Sequence, residues 1–265
     1  MRFEMRKPMK LLRPWIECYW NVELTTGTKV KKETILPNGK IEMIFALQGD
    51  YHVMNRSTKP MHQAWLSGIH HSPLEIQYSG SSNLVGIRFY PHGLFPFLNI
   101  PIHETVNQVE HLQSFWGQLQ GEVYEALCTL EGSASMYTVL NQLLMKKITE
   151  QKTTQHQAVS HLVAQIKANP NQSIAELAMR TGFTQRHLNR VFKDQTGINP
   201  KLFGRITRFE QAFSLLHAKS EEDVSTIVSE LGYYDQSHFN REFKRFSGMT
   251  PFEYRKRAIE SNNFL

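Results

Sequence analysis

TGFTQRHLNRVFKDQTGINP, from Thr181 to Pro200, decides the fold of this chain together with a second copy of itself, LGYYDQSHFNREFKRFSGMTP, from Leu231 to Pro251. When the copies are shifted by 51 positions, residues 185–200 match residues 236–251 at eight of sixteen places. Such self-similarity indicates that one structural unit occurs twice.

Each copy predicts two helices separated by a turn. Gly182 and Gly232 end a short apolar helix. Thr184 and Asp235 are suited to cap the next helix, because their side-chain oxygens can accept hydrogen bonds from first-turn amides. The glycines are 50 positions apart, so one residue near Tyr234 has been inserted in the second turn. The pattern predicts two helix-turn-helix units.

The second helix of each copy has an apolar face and a polar face. A spacing of four brings Leu188 and Phe192 together in the first copy, and Phe239 and Phe243 in the second. The opposite face carries an Asn-Arg pair at matching positions of both copies. Arginine matches the O6 and N7 acceptors of guanine, and asparagine matches the N6 and N7 edge of adenine. The alternative is a solvated polar face, but the recurrence of the pair in two matched helices favours DNA recognition.

Length and composition agree with this interpretation without requiring it. A chain of 265 residues suits two domains. The formal charge of +6 is compatible with a polyanionic partner, and residues 156–265 carry 15 Lys or Arg against 11 acids, whereas residues 1–155 carry 15 against 13. Cys18 and Cys128 form no CxxC motif, which disfavours a disulfide framework. We therefore expect the protein in the reducing cytoplasm. No signal peptide or membrane span is expected.

The first third of the chain has the two-residue period of β-strands. Alternating apolar residues occur in four sets, at 16–22, 41–47, 74–78 and 84–89. Clusters of Gly, Pro and Asn separate the sets, which predicts an antiparallel sandwich or small barrel. Such a barrel can enclose one small ligand or be filled by side chains.

The alternative class for this region is a metal-dependent cupin-like enzyme. The chain has no HxH pair, and the segment from His103-Glu104 to Asn107 lacks the second histidine of HExxH. GxSxG and a Gly-rich phosphate loop are also missing from the sequence, although a triad assembled from distant residues stays open. We expect no catalysis, no metal and no cofactor.

Helical periodicity follows the strands. Apolar residues step by three and four along 112–126 and 136–143, with Gly132-Ser133 between them. This pair of helices either packs on its own domain or forms a subunit interface, so a homodimer stays open. The predicted divisions are a β-rich cupin-like sensory domain at 1–103, a helical extension at 104–149, a linker at 150–157 and a DNA-binding domain at 158–265.

Local signals place the remaining helices of the last domain. Ser173 and Glu176 form a capping box for the first supporting helix. Pro200 begins a long connector between the two units, and its apolar stripe consists of Leu202, Ile206, Phe209, Phe213 and Leu216.

With these motifs together, residues 156–265 resemble the DNA-binding domain of AraC/XylS-type transcription regulators. The resemblance is carried by the GF or GY turns, the Arg-x-Phe-Lys run and G-x-x-P after each second helix. The ILPNGK turn and RFYPHG phrase of the N-terminal part resemble the cupin-like sensory half of some members. The fold class that this implies is α+β and multidomain: an antiparallel β-barrel or sandwich with trailing helices, then two helix-turn-helix units joined by a long helix.

The resemblance implies that two recognition helices enter successive major-groove segments of double-stranded DNA. The residues expected to read bases are Arg186, Asn189, Arg190, Gln236, Ser237, Asn240 and Arg241. The residues expected to contact phosphates are Thr184, Gln185, His187, Lys193, His238 and Lys244. Val228 stands where members commonly have a small residue and where the first unit has Ala178, so we expect the second half-site to be read less strictly.

The sequence thus predicts a cytoplasmic transcription regulator, and an activator, whose N-terminal half modulates it through a small molecule or through dimerisation. RNA polymerase is a further partner to consider. A third interpretation makes the N-terminal half an interaction module without a ligand.

Overall fold

A computed structural model describes residues 2–24, 30–54, 58–98, 100–148, 156–218 and 224–260. An antiparallel β domain comes first, three helices follow it, and an all-α domain completes the chain. The predicted α+β multidomain fold class is therefore confirmed.

The β domain is built on one antiparallel sheet. Its strand order is β1-β2-β7-β4-β6-β8, with β3 also paired to β7 and β5 to β4. The strands are β1 (Arg2–Arg6), β2 (Ile16–Leu24), β3 (Lys31–Ile35), β4 (Ile41–Val53), β5 (Lys59–Met61), β6 (Ala64–Ser67), β7 (Leu74–Phe89) and β8 (Val109–His111). Tyr19, Phe45 and Phe89 fill the core of this domain.

Two strands run further than predicted. β4 continues past the predicted set 41–47 to Val53, and the third and fourth apolar sets belong to a single strand, β7, which continues through Gly80. The Ser-Gly-Ser-Ser-Asn segment has the composition of a turn, but Ser82 and Asn83 pair with β2, and Ser79 pairs with Asp50 of β4. Pairing on both sides therefore keeps this segment in the sheet despite its low strand propensity.

The predicted helical extension consists of α1 (Gln113–Trp116), α2 (Gln118–Cys128) and α3 (Ser133–Lys147). Val123, Met136 and Leu140 are buried in the main core, and Leu119 packs partly against it. Most of this apolar stripe therefore contacts its own chain. Because β8 pairs with β6, the sheet continues past residue 103; the domain boundaries stay a prediction.

The C-terminal domain contains α4 (His156–Ala168), α5 (Ile174–Thr181), α6 (Gln185–Thr196), α7 (Pro200–Ala218), α8 (Val224–Glu230), α9 (Gln236–Ser247) and α10 (Pro251–Glu260). Residues 150–155 of the predicted linker lie outside the described residues. The connector α7 packs through Ile206, Phe209 and Leu216, as predicted. Its Phe209 ring lies 5.2 Å from Phe243 and 5.3 Å from Phe246 of α9, between ring centroids.

The two domains share one continuous apolar core. The turn before β4 reaches the start of α7, since a methyl group placed on Gly39 would lie 3.0 Å from Cε2 of Phe203. Phe203 is fully buried and also packs on Phe192 of α6. The β domain is therefore seated directly against the connector.

Candidate nucleic-acid interface

Local interactions fix the ends of the helices in the first unit. Ser173 Oγ accepts from the Glu176 amide at 3.1 Å, and Glu176 Oε2 accepts from the Ser173 amide at 3.1 Å, which completes the predicted capping box of α5. Thr184 Oγ1 accepts from the His187 amide at 3.2 Å and caps α6. Gly197 ends α6 with φ of +81°, a conformation that favours glycine.

The second unit is built by the same local chemistry. Asp235 Oδ1 accepts from the His238 amide at 2.6 Å and caps α9, and Gly248 ends that helix with φ of +79°. Tyr234, at the predicted insertion, lies in the turn immediately before the cap with 92% of its surface exposed. The insertion is thus accommodated outside the packed part of the unit.

The polar face of α6 is presented to solvent. Asn189 is half-buried, and its Nδ2 donates to the Gln185 carbonyl at 2.8 Å. The Arg190 guanidinium lies 3.8 Å from Asp194 Oδ2 and 3.4 Å from Nδ1 of His187, so it is held loosely along the helix. The exposed members of the predicted set on this helix are Gln185, Arg186, Arg190 and Lys193.

The polar face of α9 repeats that of α6, except that Ser237 stands in place of Arg186. Asn240 and His238 are half-buried, and the His238 ring stands edge-on to Tyr233 at 5.5 Å between centroids. In the first unit His187 lies 4.7 Å from Phe183 in the same place. The exposed members of the predicted set on this helix are Gln236, Ser237, Arg241 and Lys244. The predicted residues of each helix therefore lie on its exposed polar side. Which of them contact bases and which contact phosphates stays a prediction.

The buried faces of α6 and α9 differ, and the sequence did not lead us to expect this difference. Val191 of α6 is buried among apolar groups, whereas the matching residue of α9 is Glu242, whose side chain is 2% exposed. An acid is almost never buried without a partner. Its position in the repeat, opposite a valine and between two phenylalanines, was the available signal.

Two arginines of the connector α7 pair with this buried acid. Arg205 Nε donates to Glu242 Oε2 at 2.6 Å, while Arg208 Nε and Nη2 donate to Oε1 at 3.1 Å and 2.5 Å. Burial alone would raise the pKa of Glu242, but the hydrogen bonds and charges of Arg208 and Arg205 outweigh it and hold that pKa below its ordinary value. Glu242 is therefore ionised at neutral pH.

Arg208 extends this arrangement to the rest of the second unit. Its guanidinium lies 4.1 Å from the Tyr233 ring centroid, a cation–π distance. Its Nη1 donates to Asn171 Oδ1 at 2.9 Å, and Asn171 Nδ2 donates to the Leu231 carbonyl at 2.9 Å. We call these side chains the Glu242 cluster: Asn171, Arg205, Arg208, Tyr233 and Glu242.

The β domain contacts the carboxyl ends of both recognition helices. A methyl group on Gly197 would lie 2.8 Å from Cγ2 of Val106 and 2.9 Å from the Ile102 carbonyl oxygen. A methyl group on Gly248 would lie 3.6 Å from Cγ of Pro73. The contacts thus fall at the opposite ends from Thr184 and Asp235, and the polar faces keep their exposure.

A set of four charged side chains lies where the two domains meet. Lys40 Nζ of the β domain is 2.5 Å from Glu17 Oε2. Burial lowers the pKa of Lys167 on α4, and the nearby Lys40 lowers it further. Burial also raises the pKa of Glu210 on α7, against the opposing effect of Lys40 and Lys167. Two lysines and two acids, drawn from both domains, therefore interact electrostatically across the contact.

In the described part of the chain, no three His, Cys, Asp or Glu side chains are grouped so that they could hold a metal ion. None of its helices is both long and apolar enough to cross a membrane.

Two known families match separate parts of the chain. Residues 177–257 match a family described as a helix-turn-helix domain, and residues 4–111 match a domain of unknown function (DUF6597). The first match contains α6 and α9 with everything between them. The resemblance of this part to AraC/XylS-type regulators is confirmed.

Two curated relatives match over part of the chain. The HTH-type transcriptional activator RhaR of Yersinia pseudotuberculosis is 34% identical over 88 residues, which are 33% of this chain and 30% of RhaR. The HTH-type transcriptional activator RhaS of Klebsiella pneumoniae is 28% identical over 164 residues, 60% of this chain and 59% of RhaS. ToxT of Vibrio cholerae aligns over 97% of this chain and 98% of its own at 11% identity, with a TM-score of 0.48. The chain spans less than two thirds of the length of these two curated relatives.

Proposed function

We propose that this chain, whose C-terminal part is a paired helix-turn-helix domain of the AraC/XylS type, is a sequence-specific DNA-binding transcription regulator, and an activator. The observation that carries the proposal is the recurrence of one exposed polar face on α6 and α9, which pack against one connector. A regulator of this kind acts in the cytoplasm on double-stranded DNA.

The two helices enter successive major-groove segments. Arg186, Asn189 and Arg190 read one half-site, and Gln236, Ser237, Asn240 and Arg241 read the other. The amides and side chains at the amino ends of both helices, with Lys193 and Lys244, hold the phosphates. The exposure of these faces beside a docked β domain supports a DNA-competent arrangement.

Selection of binding sites from random DNA with the full chain tests this function. We expect a preferred sequence, and a binding constant that falls steeply with added salt because phosphate neutralisation releases counterions. Lys193→Ala should weaken binding to all sequences alike and reduce the salt slope by about one. Equal affinity for selected and unselected DNA would refute sequence-specific regulation.

The β domain supplies the modulation in this proposal. A cavity of about 310 Å³ opens between β4, the turn from β5 to β6 and α2, and its polar lining includes Gln48, Asp50, His52, His62 and Gln63. Gln63 takes φ of +56°, a conformation that non-glycine residues rarely adopt and that is frequent at binding sites. No lysine or arginine is among the described lining residues, which favours a neutral effector over an anion.

Thermal shift of the full chain tests for such an effector, because a ligand that binds only the folded state raises the melting temperature. Neutral sugars, aromatic acids and nucleosides form the panel. We expect stabilisation by a neutral compound and its loss in Asp50→Asn. The absence of any shift would favour an interaction module without a ligand.

Dimerisation through α2 and α3, and contact with RNA polymerase, are the remaining parts of the proposal. Leu119 is only partly buried on its own chain, so Leu119→Lys should reduce a dimer to a monomer by light scattering while the melting temperature changes little. A monomer mass in both proteins would remove dimerisation. We assign no catalytic step to the chain, and metal analysis of the purified protein tests the cupin-like enzyme alternative.

A further inference from the structure

The recognition helices pack against the connector α7 by different chemistry. α6 presents Phe192, whose ring lies 5.7 Å from Phe203 of α7 between centroids, and Val191 is buried on the same helix. α9 adds the buried carboxylate of Glu242 to its phenylalanines. Apolar contacts are non-directional and tolerate small shifts of one helix along the other. A carboxylate held by charged donors does not, because those hydrogen bonds have a preferred direction.

Both oxygens of the Glu242 carboxylate accept hydrogen bonds from arginines of α7. Arg205 and Arg208 are three residues apart on α7 and therefore project in similar directions. One donates to Oε2 and the other donates twice to Oε1, all within 3.1 Å. A rotation or slide of α9 against α7 would break at least one of these bonds while Glu242 stays buried.

The donors are themselves held in place. Arg208 is sandwiched against the Tyr233 ring, and it is tied by Asn171 to the Leu231 carbonyl in the turn before α9. Arg205 lies 5.5 Å from the Phe246 ring centroid of the same helix. The cluster thus joins the α4–α5 loop, the connector, the second turn and the second recognition helix.

Net stability is a poor reason for such a cluster. Replacing a buried ion pair by well-packed apolar groups is often neutral or stabilising, and the first unit has the apolar Val191 at the matching position. What the charged version adds is a preferred orientation.

We infer that Glu242 is a positioning residue which, through Arg205 and Arg208, fixes the second recognition helix on the connector and thereby sets the spacing between half-sites that the protein accepts. The inference rests on the proposed DNA-binding function. One extra base pair turns the second half-site by about 35° and moves it by about 3.4 Å. A rigidly held α9 cannot follow that displacement, whereas a loosely held one can.

The experiment uses the full chain and the DNA site that the wild-type protein selects. Dissociation constants are measured for that site and for versions with one base pair inserted or deleted between the half-sites. Three variants are compared: Glu242→Gln, the apolar triple variant R205M/R208M/E242V, and the control Glu176→Gln, which makes the same chemical change in the first unit. Melting temperatures establish that each protein is folded.

For the wild type and Glu176→Gln we expect the altered spacing to weaken binding by about tenfold or more, the size of one good base contact. For the folded triple variant we expect the penalty to fall below about threefold, while substitutions in the first half-site still cost what they cost the wild type. Glu242→Gln should lie between. A relaxed spacing preference in a variant that is still fully folded at the assay temperature is not expected from a purely structural role.

Two results would overturn the inference in distinguishable ways. If the wild type selects no site, the proposed function fails and the positioning role with it. If the wild type selects a two-part site and both cluster variants keep its spacing preference, only the positioning role fails. Should the triple variant not fold, Glu242→Gln alone decides between these outcomes.

Discussion

The two helix-turn-helix units have similar exposed faces and different buried faces. Asn189 and Arg190 recur as Asn240 and Arg241 on the exposed faces, and both helices begin at a side-chain cap and end at a left-handed glycine. On the buried faces, an apolar contact in the first unit corresponds to the Glu242 cluster in the second. A protein that reads DNA with two helices needs polar donors and acceptors on both exposed faces. The packing behind each reader needs only to match its own neighbours.

The largest expected effect comes from truncating the two inner positions. Glu242→Ala leaves Arg205 and Arg208 without their buried acid and should lower the free energy of unfolding by about 3–5 kcal/mol. Val191→Ala removes two methyl groups at the matching position and should cost about 1–2 kcal/mol. Urea denaturation of both variants measures the difference, and equal losses would show that the cluster is no more critical than an apolar contact.

The exposed faces offer the next comparison. Arg190→Ala should weaken binding to the selected site by about 1–3 kcal/mol and relax selectivity at one base. We expect Arg241→Ala to cost less, because Val228 lies buried beneath the second reader and is bulkier than Ala178. Titration of each variant against DNA with single base changes measures both effects. A larger loss for Arg241→Ala would reverse the order of the two readers.

The sequence predicted what is local or repeated. Capping at Thr184 and Asp235, the box at Ser173 and the helix-ending glycines need only a few neighbouring residues, and all were predicted. The apolar stripe of the connector followed from helical periodicity, which depends on the chain alone. The antiparallel class of the β domain followed from alternation in the same way.

What the sequence did not predict depends on partners distant in the chain. The Ser79–Asn83 segment stays extended because β2 and β4 pair with it, and its own composition favours a turn. Glu242 is buried because Arg205 and Arg208 arrive from another helix 34 to 37 residues away. The contact of Val106 with Gly197 joins two domains, and the periodicity of the sequence does not predict a contact of this kind. Pairing at long range is the information that one sequence lacks.

The glycines that end the two recognition helices distinguish the energetic cost of disturbing the domain contact from the cost of the local backbone conformation. Gly197 and Gly248 have nearly the same φ, +81° and +79°, so a change to alanine should cost each about 1–2 kcal/mol of backbone strain. Gly197→Ala must also displace Val106 or the Ile102 carbonyl, while the nearest atom to a new methyl on Gly248 is at 3.6 Å. Gly197→Ala should therefore be the more destabilising by urea denaturation. Equal losses of stability in the two variants would mean that the domain contact accommodates the new methyl group at no cost in free energy of unfolding.

The smallest effect is a pH dependence confined to acid. The pKa of Glu242 is held below its ordinary 4.5 in the folded protein, so its ionised form contributes stability that is fully present above about pH 4.5 and is lost as the pH falls through the folded value. Glu242→Gln does not titrate there, and groups with the opposite tendency, such as Glu210, contribute equally to both proteins. The difference in free energy of unfolding between wild type and Glu242→Gln should therefore shrink from neutral pH towards pH 3. A difference that stays constant over that range would mean that the charge of Glu242 does not stabilise the second unit, and that hydrogen bonding alone distinguishes it from the first.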